Sequence, residues 1–319
     1  MQKATLGMNY RTLSAHLERM SGKMLDLRQQ AATGKKINRP SDDPGAIRPV
    51  LHYRIQTAST ERYANHISMA KGEMEVLDSS LDQLENILVS AKETGIAVIN
   101  GSVNDADRAT YADQISQLYD EMMQVANTQN SEKYVFSGYE ESTRPFTENA
   151  GYDPALYDPA NEATWAVSYH GDANAKSLEI APGKKVQTGL TGRELFLGDA
   201  DSDGAVDAGA VDLFSLLKDF EHAIRSNDEA ALSTGLDRLE QGAEQVRRLR
   251  GRMGNNAWRI ERAGRHMDDA AIEFKEIISG YEDADALKVF SDLVQHETAF
   301  EAALNVTTRV SRLSILDFM

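Results

Sequence analysis

Between Tyr63 and Val98 an apolar residue recurs at every third or fourth position: Tyr63, Ile67, Ala70, Met74, Leu77, Leu81, Leu84, Leu88, Ala91, Gly95 and Val98. This alternation keeps one apolar seam on one face of an α-helix, and no proline interrupts it. At 1.5 Å per residue the stretch spans roughly 54 Å. A rod of that length cannot bury its seam alone, so it predicts a bundle of long helices.

A second seam of similar length supplies the partner. It starts at Leu232 and continues through Leu239, Val246, Met253, Ile260, Met267, Phe274 and Ile278 to Tyr281. Tyr111, Ile115, Leu118, Met122 and Val125 predict a returning antiparallel helix after the polar turn Asn100–Asp107, and Leu213, Leu217, Phe220 and Ile224 a further one. The seven prolines fall at 40, 44, 49, 145, 154, 159 and 182. Because interior proline costs a helix about 3 kcal/mol, long helices are expected on either side of an irregular middle.

Both ends carry amphipathic helices. Leu6, Leu13, Leu17, Met20, Met24 and Leu27 form the N-terminal seam, and Phe290, Leu293, Phe300, Leu304, Val310 and Leu313 the C-terminal one, interrupted at Glu297. The N-terminal one reads either as a solvated bundle helix or as an oligomerisation helix. Residues 1–36 hold seven basic and two acidic side chains, and residues 282–319 three basic and seven acidic, so the ends are complementary at +5 and −4. Arg39, Pro40, Ser41, Asp42, Asp43 and Pro44 form a hinge, with Ser41 or Asp42 as N-cap of a helix restarting near Pro44 or Ala46. Ser279–Asp285 breaks the long C-terminal seam in the same way. Helices this short are marginal in isolation, so residues 1–36 and 285–319 are expected to be disordered in a free monomer and to fold on assembly.

From about Thr143 to Gly198 the helical period disappears. Trp165, Val167 and Tyr169 alternate, as do Leu178 and Ile180, with turn residues between them, which predicts short strands. Asp199, Asp201, Asp203 and Asp207, with Gly204, spell the first part of a calcium loop. The twelfth position, which should be a bidentate Glu, is Ala210, so the stretch is expected to bind calcium weakly if at all. The fold class is therefore mainly α with an inserted small β domain: a long antiparallel helical bundle with terminal coiled-coil helices. The expected division is 1–38 with 284–319 as terminal helices, 39–140 with 211–283 as the bundle, and 141–210 as an outer β insert, dispensable for assembly.

Fifty acidic against thirty-four basic residues give a net charge of −16, which argues against nucleic acid and anionic membrane surfaces as partners. No cysteine is present, which excludes disulfides and thiolate metal sites. No apolar run approaches a membrane span, and no signal-peptide pattern opens the chain. No P-loop or dinucleotide glycine pattern occurs, and His296-Glu297 lacks the second histidine of a zinc-protease helix because Phe300 stands there. Neither an enzyme nor any cofactor is expected.

Several stretches resemble a known family. Arg39-Pro40-Ser41-Asp42-Asp43-Pro44, the Phe136-Ser137-Gly138 and Pro145-Phe146 pairings, Tyr281-Glu282-Asp283-Ala284-Asp285 and Leu313-Ser314-Ile315-Leu316-Asp317-Phe318 are similar to the flagellar hook-filament junction proteins, hook-associated protein 3, which are relatives of flagellin. The resemblance implies a flagellin-like fold and a secreted, extracellular structural role in the bacterial flagellum. It implies a ring of identical copies between hook-associated protein 1 and flagellin, in which the two terminal seams, apolar and oppositely charged, are expected to be the assembly interface. It also implies type III export without a cleaved signal peptide, and a cytoplasmic export chaperone on the C-terminal helix. The alternatives are flagellin itself and, further off, an enzyme or a calcium-dependent binding module.

Overall fold

In the computed structural model, residues 6–100 and 104–316 are described, with side chains at Met8, 11–99 and 104–309. Its packing divides the chain into a terminal unit, residues 1–61 with 268–319, and a central unit, residues 62–267. Both divisions fall inside long helices, whereas the sequence suggests breaks at 38/39 and 283/284. The elements in order are α1 (Leu6–Thr33), α2 (Pro44–Asn100), α3 (Asp105–Ala126), six short strands, α4 (Leu213–Ser226), α5 (Glu229–Glu282) and α6 (Ala286–Leu316).

The central unit is built on the predicted seams. Ile67, Ala70, Met74, Leu77, Leu81, Leu84, Leu88, Ala91 and Val98 of α2 are all buried, as are Leu232, Leu239, Val246, Met253 and Ile260 of α5. α3 starts where Asn104 caps it, its side chain accepting from the Asp107 N–H. α4 ends at Asn227, whose φ of 56° lets the chain turn directly into α5. Two glycines let three helices close on one ring: a Cβ on Gly95 would lie 2.3 Å from Phe220, and one on Gly235 would lie 2.4 Å from it. Phe220 of α4 therefore fills the space that α2 and α5 leave by carrying no side chain there.

The insert is strand-poor. Gln129–Asn130 (β1) pairs with Lys133–Tyr134 (β2), Phe146–Glu148 (β3) with Val167–Tyr169 (β4), and Ser177–Ala181 (β5) with Lys184–Gln187 (β6), each antiparallel and each two-stranded. None of these sheets has a core of its own. Instead, Phe136, Phe146, Trp165 and Phe196 are fully buried in the same cluster as Phe214 of α4 and Tyr119 of α3. Phe146 meets Phe214 at 5.3 Å between ring centroids, and Phe196 meets it at 5.5 Å. Asp212, fully buried, caps α4 by accepting from the Phe214 and Ser215 N–H groups, and the Ser215 hydroxyl accepts from the Ala166 N–H at 3.1 Å. The insert forms a cap whose aromatic residues complete the bundle core. Excising 145–205 would remove part of that core.

In the terminal unit α2 begins at Pro44, and Pro49 lies inside it. So near the helix start, that proline removes only one helical hydrogen bond. The cap is Asp43, not Ser41 or Asp42: its Oδ1 accepts from the N–H groups of Gly45 and Ala46, both at 3.0 Å. Asp42 instead folds the preceding turn, its Oδ2 accepting from Asn38 N–H at 2.9 Å and Arg39 N–H at 2.7 Å.

Candidate assembly site in the terminal helices

α1 and α6 pack on each other within one chain. On α1 the half-buried or buried positions include Leu13, Leu17, Met20, Met24 and Leu27, the seam written in the sequence, followed by Gln29, Gln30 and Ala31 near its end. On α6 they include Val289, Leu293, His296, Phe300, Ala303 and Thr307, again in four-three spacing, with Asp292 and Glu297 half-buried beside them. The side chains of Leu6, Val310 and Leu313 lie outside the described residues. Glu297, which interrupts the apolar pattern, reaches Arg28 of α1 at 2.8 Å, so the interruption is an interhelical ion pair. Within one chain the two complementary seams meet each other.

The apolar residues of α6 separate into two faces. Leu293 and Phe300 turn toward α1, whereas Leu287, Phe290, Val294 and Leu304 remain 85%, 55%, 62% and 41% exposed. The sequence merges these faces into one seam. A helix that has satisfied one apolar face and still presents another is suited to a further helical neighbour.

The start and end of this pair are fastened together. Lys36 N–H donates to the Glu282 carbonyl at 2.7 Å, and Ala284 N–H donates to the Gly34 carbonyl at 2.9 Å. Gly34 sits at φ 69°, a left-handed turn that ends α1 and brings Lys35 alongside Asp283. The Glu282 carboxylate, 3% exposed, receives Lys35 Nζ at 2.7 Å and Arg54 Nη2 at 2.5 Å. Burial alone would raise the Glu282 pKa, but hydrogen bonds from the two cations outweigh it and hold the carboxyl below its ordinary value. The stretch read as a hinge at 279–285 therefore forms half of a clamp, and the one at 39–44 lies between the clamp residues Lys35 and Arg54. Its three charged residues were not singled out as a site. The signal was present, since Glu282 falls four residues after Ile278, in the register of the apolar seam.

The acidic loop is occupied by its own protein. Carboxylate oxygens of Asp199, Asp201 and Asp203 lie within 4.8 Å of one another. Yet Asp199, fully buried, takes Arg193 Nη1 at 2.5 Å and the Gly204 N–H at 3.1 Å, while Asp207 accepts from the Ala200 N–H at 2.8 Å. A cation there would have to displace a guanidinium, and Ala210 offers no side-chain ligand.

Residues 6–141 match the bacterial flagellin N-terminal helical region. The chain is 25% identical over 303 residues to flagellar hook-associated protein 3 of Escherichia coli K12, covering 90% of both chains. It is 23% identical over 306 residues to that of Salmonella typhimurium, covering 91% of both. Over most of its length the chain is thus similar to flagellar hook-associated protein 3. A putative flagellar hook-associated protein from Vibrio parahaemolyticus shares its fold, with a TM-score of 0.62 at 16% identity over 76% of this chain and all of that one. So does the flagellar junction protein FlgL from Legionella pneumophila, with a TM-score of 0.56 at 15% identity over 75% of this chain and all of that one. The resemblance read from the hinge and C-terminal motifs is thus shown, and so is the mainly helical, flagellin-like fold class. Flagellins are also similar, among them that of Listeria innocua at 21% over 93% of this chain and 91% of its own length.

Proposed function

We propose that this protein is the structural subunit that joins hook to filament in the bacterial flagellum, where copies form a ring between hook-associated protein 1 and flagellin. The observation that carries the reading is the second apolar face of α6, left exposed after α1 has covered the first. In the ring that face packs against terminal helices of neighbouring copies and of the axial partners, so Leu287, Phe290, Val294 and Leu304 contact neighbours while Leu13, Leu17, Met20, Met24, Leu27, Leu293 and Phe300 hold each pair together. Leu6, Val310 and Leu313 extend the same seams. Arg39, Pro40, Ser41, Asp42, Asp43 and Pro44 set the connection between α1 and α2. Before assembly the C-terminal helix is covered by a cytoplasmic chaperone, and the chain leaves the cell unfolded through the flagellar export apparatus without a cleaved signal peptide. Its role is assembly, with no chemical reaction.

The test is location and effect together. In a strain lacking the gene, Phe290→Asp should leave the folded chain unchanged by circular dichroism while abolishing motility, and antibody labelling should place the wild-type protein in a single band at the base of the filament. Labelling along the whole filament would favour the flagellin reading, and full motility of Phe290→Asp would remove α6 from the interface.

A further inference from the structure

Residues 44–69 of α2 hold three arginines, two histidines and a single acid, Glu61, in a chain whose net charge is −16. Two of these charges are used within the terminal unit: Arg54 binds Glu282, and Glu61 takes Lys275 of α5 at 2.9 Å. Arg48 and Arg62 are exposed and have no ion pair among the described residues. Val50, Thr57 and Thr60 turn inward and are buried, whereas Leu51 and Ile55 on the other side are 51% and 68% exposed. Leu51, Ile55 and Arg62 stand at i, i+4 and i+11, close to one and three whole turns apart, so they form one outward stripe.

The outer face of α6 is its counterpart. Residues 289–308 hold three acids and neither lysine nor arginine. Asp292 is half-buried beside the seam that meets α1, and Glu297 binds Arg28, which leaves Glu301 exposed and without an ion pair among the described residues. Phe290, Val294 and Glu301 repeat the spacing i, i+4 and i+11. Laid side by side, parallel and in register, the two stripes bring Leu51 to Phe290, Ile55 to Val294 and Arg62 to Glu301. Apolar residues meet apolar ones, and the two unpaired charges are of opposite sign. No acid of this part of α2 opposes Glu301, because Glu61 is held by Lys275. Within one chain the stripes are not joined, since all four apolar residues stay more than half exposed. Two different complementary surfaces on one chain make a head-to-tail contact, the kind that generates a ring when the rotation closes.

We propose that in the assembled ring the outer face of α6 in one copy lies parallel on the outer face of α2 in the next, with Glu301 paired to Arg62. This rests on the reading of the protein as a ring of copies and names the surface that receives α6. Each copy gives one face and receives the other, so the contact has a direction and repeats from copy to copy.

The chain has no cysteine, so Ile55→Cys and Val294→Cys together introduce the sole thiol pair. The full-length double variant replaces the wild type in a flagellated strain, and isolated flagella are treated with a short bismaleimide beside the free chain in solution. An amine-reactive crosslinker on wild-type flagella reads ring formation independently. The expected result is a ladder of linked copies from flagella and no 55–294 link in the free chain. Arg62→Glu or Glu301→Arg, added alone, should reduce the ladder about tenfold, and both together should restore it. In chains without the cysteines the same reversals should impair motility singly and restore it together, with the circular dichroism of the free chain unchanged, since neither residue has an ion pair within it. Amine-linked copies without the 55–294 ladder, a ladder indifferent to charge reversal, a 55–294 link inside the free chain, or position 294 linked to another flagellar protein each overturns this contact and leaves the ring standing. No linked copies with either reagent overturns the ring and this contact with it.

Discussion

The central unit and the terminal unit are both made from four-three apolar seams, yet they bury them to different depths. Leu81, Leu84, Ala91, Ile115 and Met122 in the central unit are completely covered, whereas Leu13, Leu17, Met20 and Met24 in the terminal unit are only half covered by α6. The difference comes from what closes the seam. In the centre, the third and fourth helices and an aromatic cap enclose it from every side; at the ends, two helices face each other and the rest is open. Periodicity specifies that a face is apolar, and the number of neighbours decides how much stability follows.

The largest expected effect tests the claim that the cap and the bundle share one core. Phe196→Ala removes a fully buried ring that touches Phe136, Phe146 and Phe214, and should cost about 3–5 kcal/mol in urea unfolding of the whole central unit. If the cap were independent, helical signal would persist while cap fluorescence changed.

Next in size is a pH effect confined to the central unit. Burial pushes Asp212 up to about 6, against the hydrogen bonds from Ser215 and Phe214 that favour its charged form. A carboxyl raised above its unfolded value makes the folded state bind the extra proton, so stability rises as pH falls from above 6 toward 4. The span corresponds to about 3 kcal/mol. Asp212→Asn keeps a capping oxygen and cannot ionise, so its unfolding free energy should lose this slope. An unchanged slope would assign the pH dependence to other groups.

Gly235→Ala probes the close approach around Phe220 and should cost about 1–3 kcal/mol, since the ring must move to admit a Cβ 2.4 Å away. In the terminal unit the corresponding probe is Glu282→Ala. It removes the carboxylate that Lys35 and Arg54 share, but both cations are about half exposed and regain water, so about 1–2 kcal/mol is expected. Hydrogen exchange at Lys36 and Ala284 should accelerate while the central unit stays protected. Because the Glu282 pKa is lowered, its contribution is present above the ordinary glutamate range and fades as pH falls through the depressed folded value. That is the opposite slope to Asp212, which allows the two units to be told apart in one titration. The smallest effect is Arg28→Ala, within about 1 kcal/mol, because its pair with Glu297 is exposed.

Much of this organisation was legible in the residues. The seams of α2, α3, α4 and α5 were readable because long proline-free periods leave few alternatives, and the N-terminal seam for the same reason. Two features were not. The division of α6 into an inner and an outer face depends on where α1 lies, and periodicity alone cannot distinguish Leu293 from Phe290. The dependence of the cap on Phe214 arises between residues far apart in sequence, and its short strands only suggested a separate domain. The clamp at Glu282 sat inside a recognised motif, but its partners, Lys35 and Arg54, come from two other segments.

The ion pair between Arg28 and Glu297 joins positions 269 residues apart in the chain. Everything between them must be made before α1 can meet α6, so during synthesis the first helix has no native partner until nearly the last. Local helices can form early and quickly, but this closure is a highly non-local event. The ends of the molecule are therefore its latest part to be completed, and for most of the time the chain is being made its N-terminal seam lies open to whatever else is near.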